Sequence, residues 1–143
     1  MQTVERSVVI DAPPEKVFAY LDAPQHLPEI WPSMVEVSKV EELPKGGHSF
    51  HWLYKMAGVR LEGDTETVEY ERNKHVVTKS TGQIPNRFDW EFIPEGDSTR
   101  FTLKMEYEIP KSLLGKLTEP FILKLNEREA DVFIGNLKDR FEI

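Results

Sequence analysis

Alternation of apolar and polar side chains dominates the middle of the chain. Residues 48–56 set Phe50, Trp52, Tyr54 and Met56 on one side against Ser49, His51, Leu53 and Lys55 on the other, the period of two expected of a strand with one covered face. Residues 87–93 repeat the rhythm, with Phe88, Trp90 and Phe92 against Asp89 and Glu91. So do residues 99–109, with Phe101, Leu103, Met105 and Tyr107 against Arg100, Lys104, Glu106 and Glu108. Residues 59–70 put Leu61, Gly63, Thr65 and Thr67 opposite Glu62, Asp64 and Glu66, so the charged side faces water. Residues 3–10 and 76–81 are further strands. In residues 34–43, Val35 and Val37 are followed by Val40 out of phase, which predicts a bulge near Lys39. Turns fall at Gly46-Gly47, Ala57-Gly58, residues 71–73, a loop over residues 82–86, and residues 95–97.

Two stretches switch to helical spacing. Pro13-Pro14 opens a helix, because proline is tolerated where the backbone donor is orphaned anyway, and Glu15 suits the positive helix start. Val17, Phe18 and Leu21 give its apolar side, and Pro24 keeps it short. Residues 25–30 predict a second short helix with Leu27, Ile30 and Trp31 inward, ended by Pro32. Pro110 closes the last strand. Residues 111–117 are apolar but interrupted by Gly115, which suggests a movable lid, and Thr118 caps a helix running to about Phe141. That helix is roughly 33 Å long at ~1.5 Å per residue. Its inward stripe reads Ile122, Leu125, Glu129, Val132, Phe133 and Asn136. One strand, two short helices, about six strands on short turns and one long helix make an α+β protein. Its antiparallel sheet has an aromatic face covered by the last helix.

Length and charge narrow the function classes. The chain has 143 residues and a net charge of −7, which fits a single domain and speaks against a nucleic-acid partner, since that affinity needs lysine and arginine to displace counterions. It contains no cysteine, so disulfides, thiolate metal sites and a thiol nucleophile are excluded. No segment reaches ~18 consecutive apolar residues and the first ten residues form no signal core. The expectation is a cytoplasmic protein without integral membrane contact.

With these elements in order, "SVVIDAPPEKVFAYLDAPQHLPEIWPSMVEV" resembles the opening of the START-like (SRPBCC) superfamily, in particular its polyketide cyclase/dehydrase branch and the related coenzyme Q-binding proteins. "YKMAGVRLEGDTETVEYERNKHVVTKSTG" resembles the central hairpin, "FIPEGDSTRFTLKMEYEIP" the last strand pair and "NLKDRFE" the end of the last helix. The resemblance covers nearly the whole chain. It implies a helix-grip fold: a curved antiparallel sheet of about seven strands wrapped around a long C-terminal helix, with an apolar cavity between them. No cofactor is expected. Fold alone does not choose among the superfamily's ligands.

The inward positions are the candidate ligand contacts: Phe50, Trp52, Tyr54, Leu61, Thr65, Trp90, Phe92, Leu103, Met105, Leu125, Glu129, Phe133 and Asn136. Each is equally readable as plain core. Glu129 and Asn136 are distinctive, because a carboxylate in an apolar stripe is costly unless paired or protonated. Glu129 is therefore a polar anchor or general acid/base facing the cavity, or it pairs with Arg128, Arg140 or a sheet residue, or the stripe drifts and leaves it exposed. Three functions remain open: binding of a small apolar or amphipathic ligand, a lipid, isoprenoid quinone or polyketide-like ring; a cyclase or dehydratase with Glu129 as its catalytic group; and a protein-interaction module like the ribosome-association toxins of the superfamily. No metal site is expected, since His48 and His51 fall on opposite faces of one strand and His26 and His75 stand apart.

Overall fold

The computed structural model describes residues 1–142. Seven strands form one antiparallel sheet: β1 (Gln2–Ile10), β2 (Met34–Glu42), β3 (His48–Met56), β4 (Val59–Glu71), β5 (His75–Gly82), β6 (Asn86–Glu95) and β7 (Ser98–Tyr107). Their order across the sheet is β1-β7-β6-β5-β4-β3-β2, so five hairpins run in sequence and β1 closes against β7. Between β1 and β2 lie α1 (Pro14–Leu21), a 3-10 turn (Pro24–His26) and α2 (Leu27–Ile30). After β7 come α3 (Lys111–Leu114) and the 22-residue α4 (Glu119–Arg140). This is the helix-grip arrangement.

Local chemistry accounts for most boundaries. Pro13 stands extended at the N-cap of α1, and Pro14, Val17, Phe18 and Leu21 are all buried. Ala57 and Gly58 have φ of +49° and +80°, the left-handed pair that a two-residue hairpin requires. The bulge expected in β2 is present: Lys39 has φ +53° and the pairing with β3 slips between Ser38 and Glu41. A second slip, between Met34 and Glu36, turns Val35 outward to 51% exposure. A third lies in β4 between Thr67 and Glu69. Neither leaves a clear break in the alternation.

The last helix is rotated from the stripe expected of it. Its buried residues are Ile122, Asn126, Ala130, Phe133 and Leu137, a 4-4-3-4 spacing. Leu125, Glu129, Val132 and Asn136 flank this line and are only part-buried. The spacing from Ile122 admits Leu125 or Asn126 as the next inward position, and tertiary packing selects the asparagine. Phe133 is fixed by rings: its centroid lies 5.6 Å from Trp31, 6.1 Å from Trp90 and 6.3 Å from Phe101.

Gly63 marks where the sheet is most tightly drawn. It pairs with Trp52 on one side and Gly82 on the other, and a Cβ there would run into the Trp52 ring and the Thr81 carbonyl. Gly63→Ala is therefore expected to destabilise the protein by about 1–3 kcal/mol, measured as a lower denaturant midpoint at unchanged slope. An unchanged midpoint would mean that the sheet relaxes freely at this point.

Candidate functional site

The inner sheet face, the short helices before β2, Pro110 and Leu113 around α3, and Asn126 of α4 line a cavity of about 90 Å³, taken as the space open to the centre of a water molecule. One water needs ~10–15 Å³ on that measure, so the space admits a ligand rather than a single solvent molecule. Phe18, Leu27, Trp31, Phe50, Trp52, Phe88, Trp90, Phe92 and Met105 make its wall mostly apolar. Thr65, Thr67, Thr78, Ser80, Asn86, Tyr107 and Asn126 add neutral polar groups. Asp22 and His48 also line it, and among the described residues no lysine or arginine does.

Of the candidate contacts, the strand positions Phe50, Trp52, Tyr54, Thr65, Trp90, Phe92 and Met105 come together on this wall. Leu61, Leu103 and Phe133 are core residues at no more than 1% exposure and lie off it. Leu125, Glu129 and Asn136 also lie off it, because the helix is turned toward Asn126. Asn136 Nδ2 instead donates to the Ile30 carbonyl at 3.0 Å, tying α4 to α2. The expectation that Glu129 faces the cavity is corrected: its Oε2 accepts from Trp31 Nε1 at 3.0 Å and its Oε1 from Ser33 Oγ at 2.5 Å. Trp31 lines the cavity and packs edge-on against Tyr54, 5.4 Å between centroids. Glu129 thus acts from behind the wall as a positioning residue for the indole.

A sequence profile for polyketide cyclase / dehydrase and lipid transport proteins matches residues 1–142. The chain belongs to this family. Among solved structures, this family member resembles the protein TTHA0849 from Thermus thermophilus, at 24% identity, TM-score 0.77, and 98% and 97% of the two chains covered. It also resembles a START superfamily protein from Mycobacterium smegmatis, at 15% identity, TM-score 0.81, and coverage of 97% and 96%. A third likeness is to the Zhui aromatase/cyclase from Streptomyces sp. R1128, at 15% identity, TM-score 0.80, and coverage of 97% and 92%. At these identities the likeness is one of fold. No curated protein sequence matches the chain.

Several wall residues of this cyclase/dehydrase-family chain escaped the sequence reading. Trp31, Phe18 and Leu27 come from the opening helices, which looked like structural punctuation. Asn126 sat one residue beyond the expected stripe. His75 is not isolated either: it pairs with Glu91 in register, its Nε2 lies 2.6 Å from Asp89 Oδ1, and the ligating atoms of all three gather within 4.8 Å. This group is on the outer sheet face, away from the cavity. His51 likewise faces outward, against Asp64 at 3.0 Å, whereas His48 lines the cavity.

Burial dominates the tyrosine chemistry. It raises the hydroxyls of Tyr20, Tyr54 and Tyr107 above the ordinary phenol range, with the charge of Glu129 adding to the effect at Tyr54. Tyr70 is pushed up to about 12 by burial and by its hydrogen bond to Asp22, 3.0 Å.

Two outcomes follow from this chemistry. Glu129→Gln turns two charge-assisted hydrogen bonds into neutral ones, with Trp31 Nε1 donating to the amide oxygen and Ser33 Oγ turned to accept from the amide nitrogen, so stability falls by about 1 kcal/mol in denaturant titration; no loss would show that the acceptor's charge contributes nothing. For a phenol whose folded pKa is raised, stability is complete below the unfolded value near 10 and is lost as pH climbs toward the folded one. Phenolate absorbance is therefore expected to lag the free-tyrosine curve, with stability declining between about pH 10 and 12. A titration matching free tyrosine would contradict the burial of these hydroxyls.

Proposed function

We propose that this protein binds a small apolar or amphipathic molecule in the cavity between sheet and C-terminal helix. The carrying observation is the wall itself, aromatic on β3, β6 and the opening helices, with neutral polar groups, the ionisable Asp22 and His48, and no lysine or arginine among the described residues. Such walls suit ligands whose affinity comes from apolar area, at ~25 cal/mol per Å² removed from water. The lipid-transport members named in the family's description support the same reading.

A second reading, ring closure or dehydration of a bound chain, draws on the family's cyclase members and on the fold shared with the Zhui aromatase/cyclase. Shape alone would supply proximity. Proton transfer would fall to wall residues. Asp22, with one oxygen engaged by Tyr70, and His48 are the ionisable candidates beside the tyrosines. Glu129, engaged by Trp31 and Ser33 off the wall, supports binding geometry more readily than catalysis.

Native mass spectrometry of gently purified protein is expected to reveal a co-purifying small molecule. Delipidated protein should melt at a higher temperature as an apolar ligand is added, following RT ln(1 + [L]/Kd). Failure to retain any adduct, together with no thermal shift across lipids, quinones and aromatic ketones, would remove the reading. Conversion of a keto-chain substrate by wild-type protein but not by a His48→Ala variant would favour the second.

A further inference from the structure

The strand register aligns four neutral polar residues in one row across the cavity. Thr65 pairs with Ser80, Ser80 with Asn86 and Asn86 with Tyr107, so one rung crosses β4, β5, β6 and β7. All four line the cavity, and Asn126 of α4 joins the row beside the Tyr107 hydroxyl. This row occupies positions where an inward face ordinarily carries apolar side chains.

Its hydrogen-bonding capacity is not used up internally. Thr65 and Ser80 bond each other through their hydroxyls while 7% and 8% exposed, and a hydroxyl pair joined by one bond keeps one further O–H to give. Asn86 spends one amide hydrogen on the Ile84 carbonyl, and Asn126 spends one on the Ile122 carbonyl. The Tyr107 hydroxyl makes no well-formed hydrogen bond among the described residues, with the Asn126 amide its nearby polar neighbour, in a side chain 4% exposed. The Trp90 indole N–H, further along the same inner face, is also unpartnered at 7% exposure. A buried donor left unpaired costs about 1–3 kcal/mol, which a ligand acceptor would recover.

The row also excludes a charged head group. Among the described residues no lysine or arginine lines the cavity, and its one histidine, His48, is on the same wall as the carboxyl of Asp22, so a carboxylate or phosphate seated on the row would be desolvated without a permanent counter-charge.

Resting on the ligand-binding reading above, we infer that the ligand is an uncharged amphiphile. Its carbonyl or hydroxyl oxygens sit on the Thr65–Ser80–Asn86–Tyr107 rung, and its apolar body runs along Phe88, Trp90 and Phe92 of β6. The polar end lies beneath Ile84, Pro110 and Leu113, which line the same part of the wall around the β5–β6 loop and α3.

Three tricyclic probes of one shape test this: fluorene, 9-fluorenone and fluorene-9-carboxylate, titrated against delipidated protein by tryptophan fluorescence or calorimetry. Wild type is expected to hold the ketone about 10-fold more tightly than the hydrocarbon, one net hydrogen bond's worth, and the carboxylate more weakly than the ketone. In a Thr65→Val/Ser80→Ala/Tyr107→Phe variant the ketone-to-hydrocarbon ratio should fall to about 2 or less. Tyr107→Phe alone removes a hydroxyl that makes no well-formed hydrogen bond, so its melting temperature, without ligand, should equal or exceed that of wild type; a clear drop would show that the hydroxyl is satisfied within the protein, with Asn126 the partner at hand, and would count against the inference. Equal binding of ketone and hydrocarbon by wild type, a preference that survives in the triple variant, or tightest binding of the carboxylate would overturn it while leaving apolar binding standing. Failure of all three probes to bind would overturn the ligand-binding reading as well.

Discussion

A seven-stranded sheet is wider than one helix can cover. Strands spaced ~4.8 Å apart give it a width of roughly 30 Å, whereas a helix with its side chains is ~10–12 Å across. The apolar inner face must be hidden by other means, and the rest of the architecture follows from that mismatch. α4 sits over the β1 side, with Arg6 reaching Asp131 at 2.7 Å. α1 and α2 fill in beside it, with Phe18 meeting Phe92 edge-on at 5.2 Å. The sheet curls inward, and large rings on β3 and β6 bridge what remains. The cavity is what an incomplete cover leaves behind.

Trp31 ties these partial covers together. It follows α2 directly, yet its ring touches the β3 residue Tyr54, the β6 residue Phe88 and the α4 residue Phe133. An indole pushed that far inward must satisfy its N–H, and Glu129 does so from the helix flank. The carboxylate is in turn sheltered by Ser33. A polar group in the wrong place for catalysis is thus in the right place to hold an aromatic wall.

The sheet was legible in the sequence because its signal is local. Strand alternation in residues 48–56, 87–93 and 99–107 needs only the next few residues to be read, and the Ala57-Gly58 and Gly46-Gly47 turns punctuate it. The opening stretch matched its superfamily for the same reason. The helix phase was harder. Leu125 and Asn126 compete for one inward position, and only the sheet opposite decides between them. Seven strand positions of the cavity wall, Phe50, Trp52, Tyr54, Thr65, Trp90, Phe92 and Met105, therefore stood among the candidates, while Ser80, Asn86 and Phe88 on the strands and Trp31 and Asn126 on the helical side did not. Their roles depend on register and docking between segments far apart in the chain. The polar row is the extreme case: its four members are scattered over four strands, and although Thr65 stood among the candidates, nothing in the sequence aligns it with Ser80, Asn86 and Tyr107.

The irregular course of β2 has a separate consequence. This strand is one open edge of the sheet, with unpaired backbone groups that could template another chain. Two register slips and the left-handed Lys39 break its outline into short, kinked pieces. Glu36, Glu41 and Glu42 line it with negative charge on a chain that already carries −7. A protein built around an oily interior thereby presents an edge that repels its own copies, which favours colloidal solubility at the concentrations where flat, regular edges would zip together.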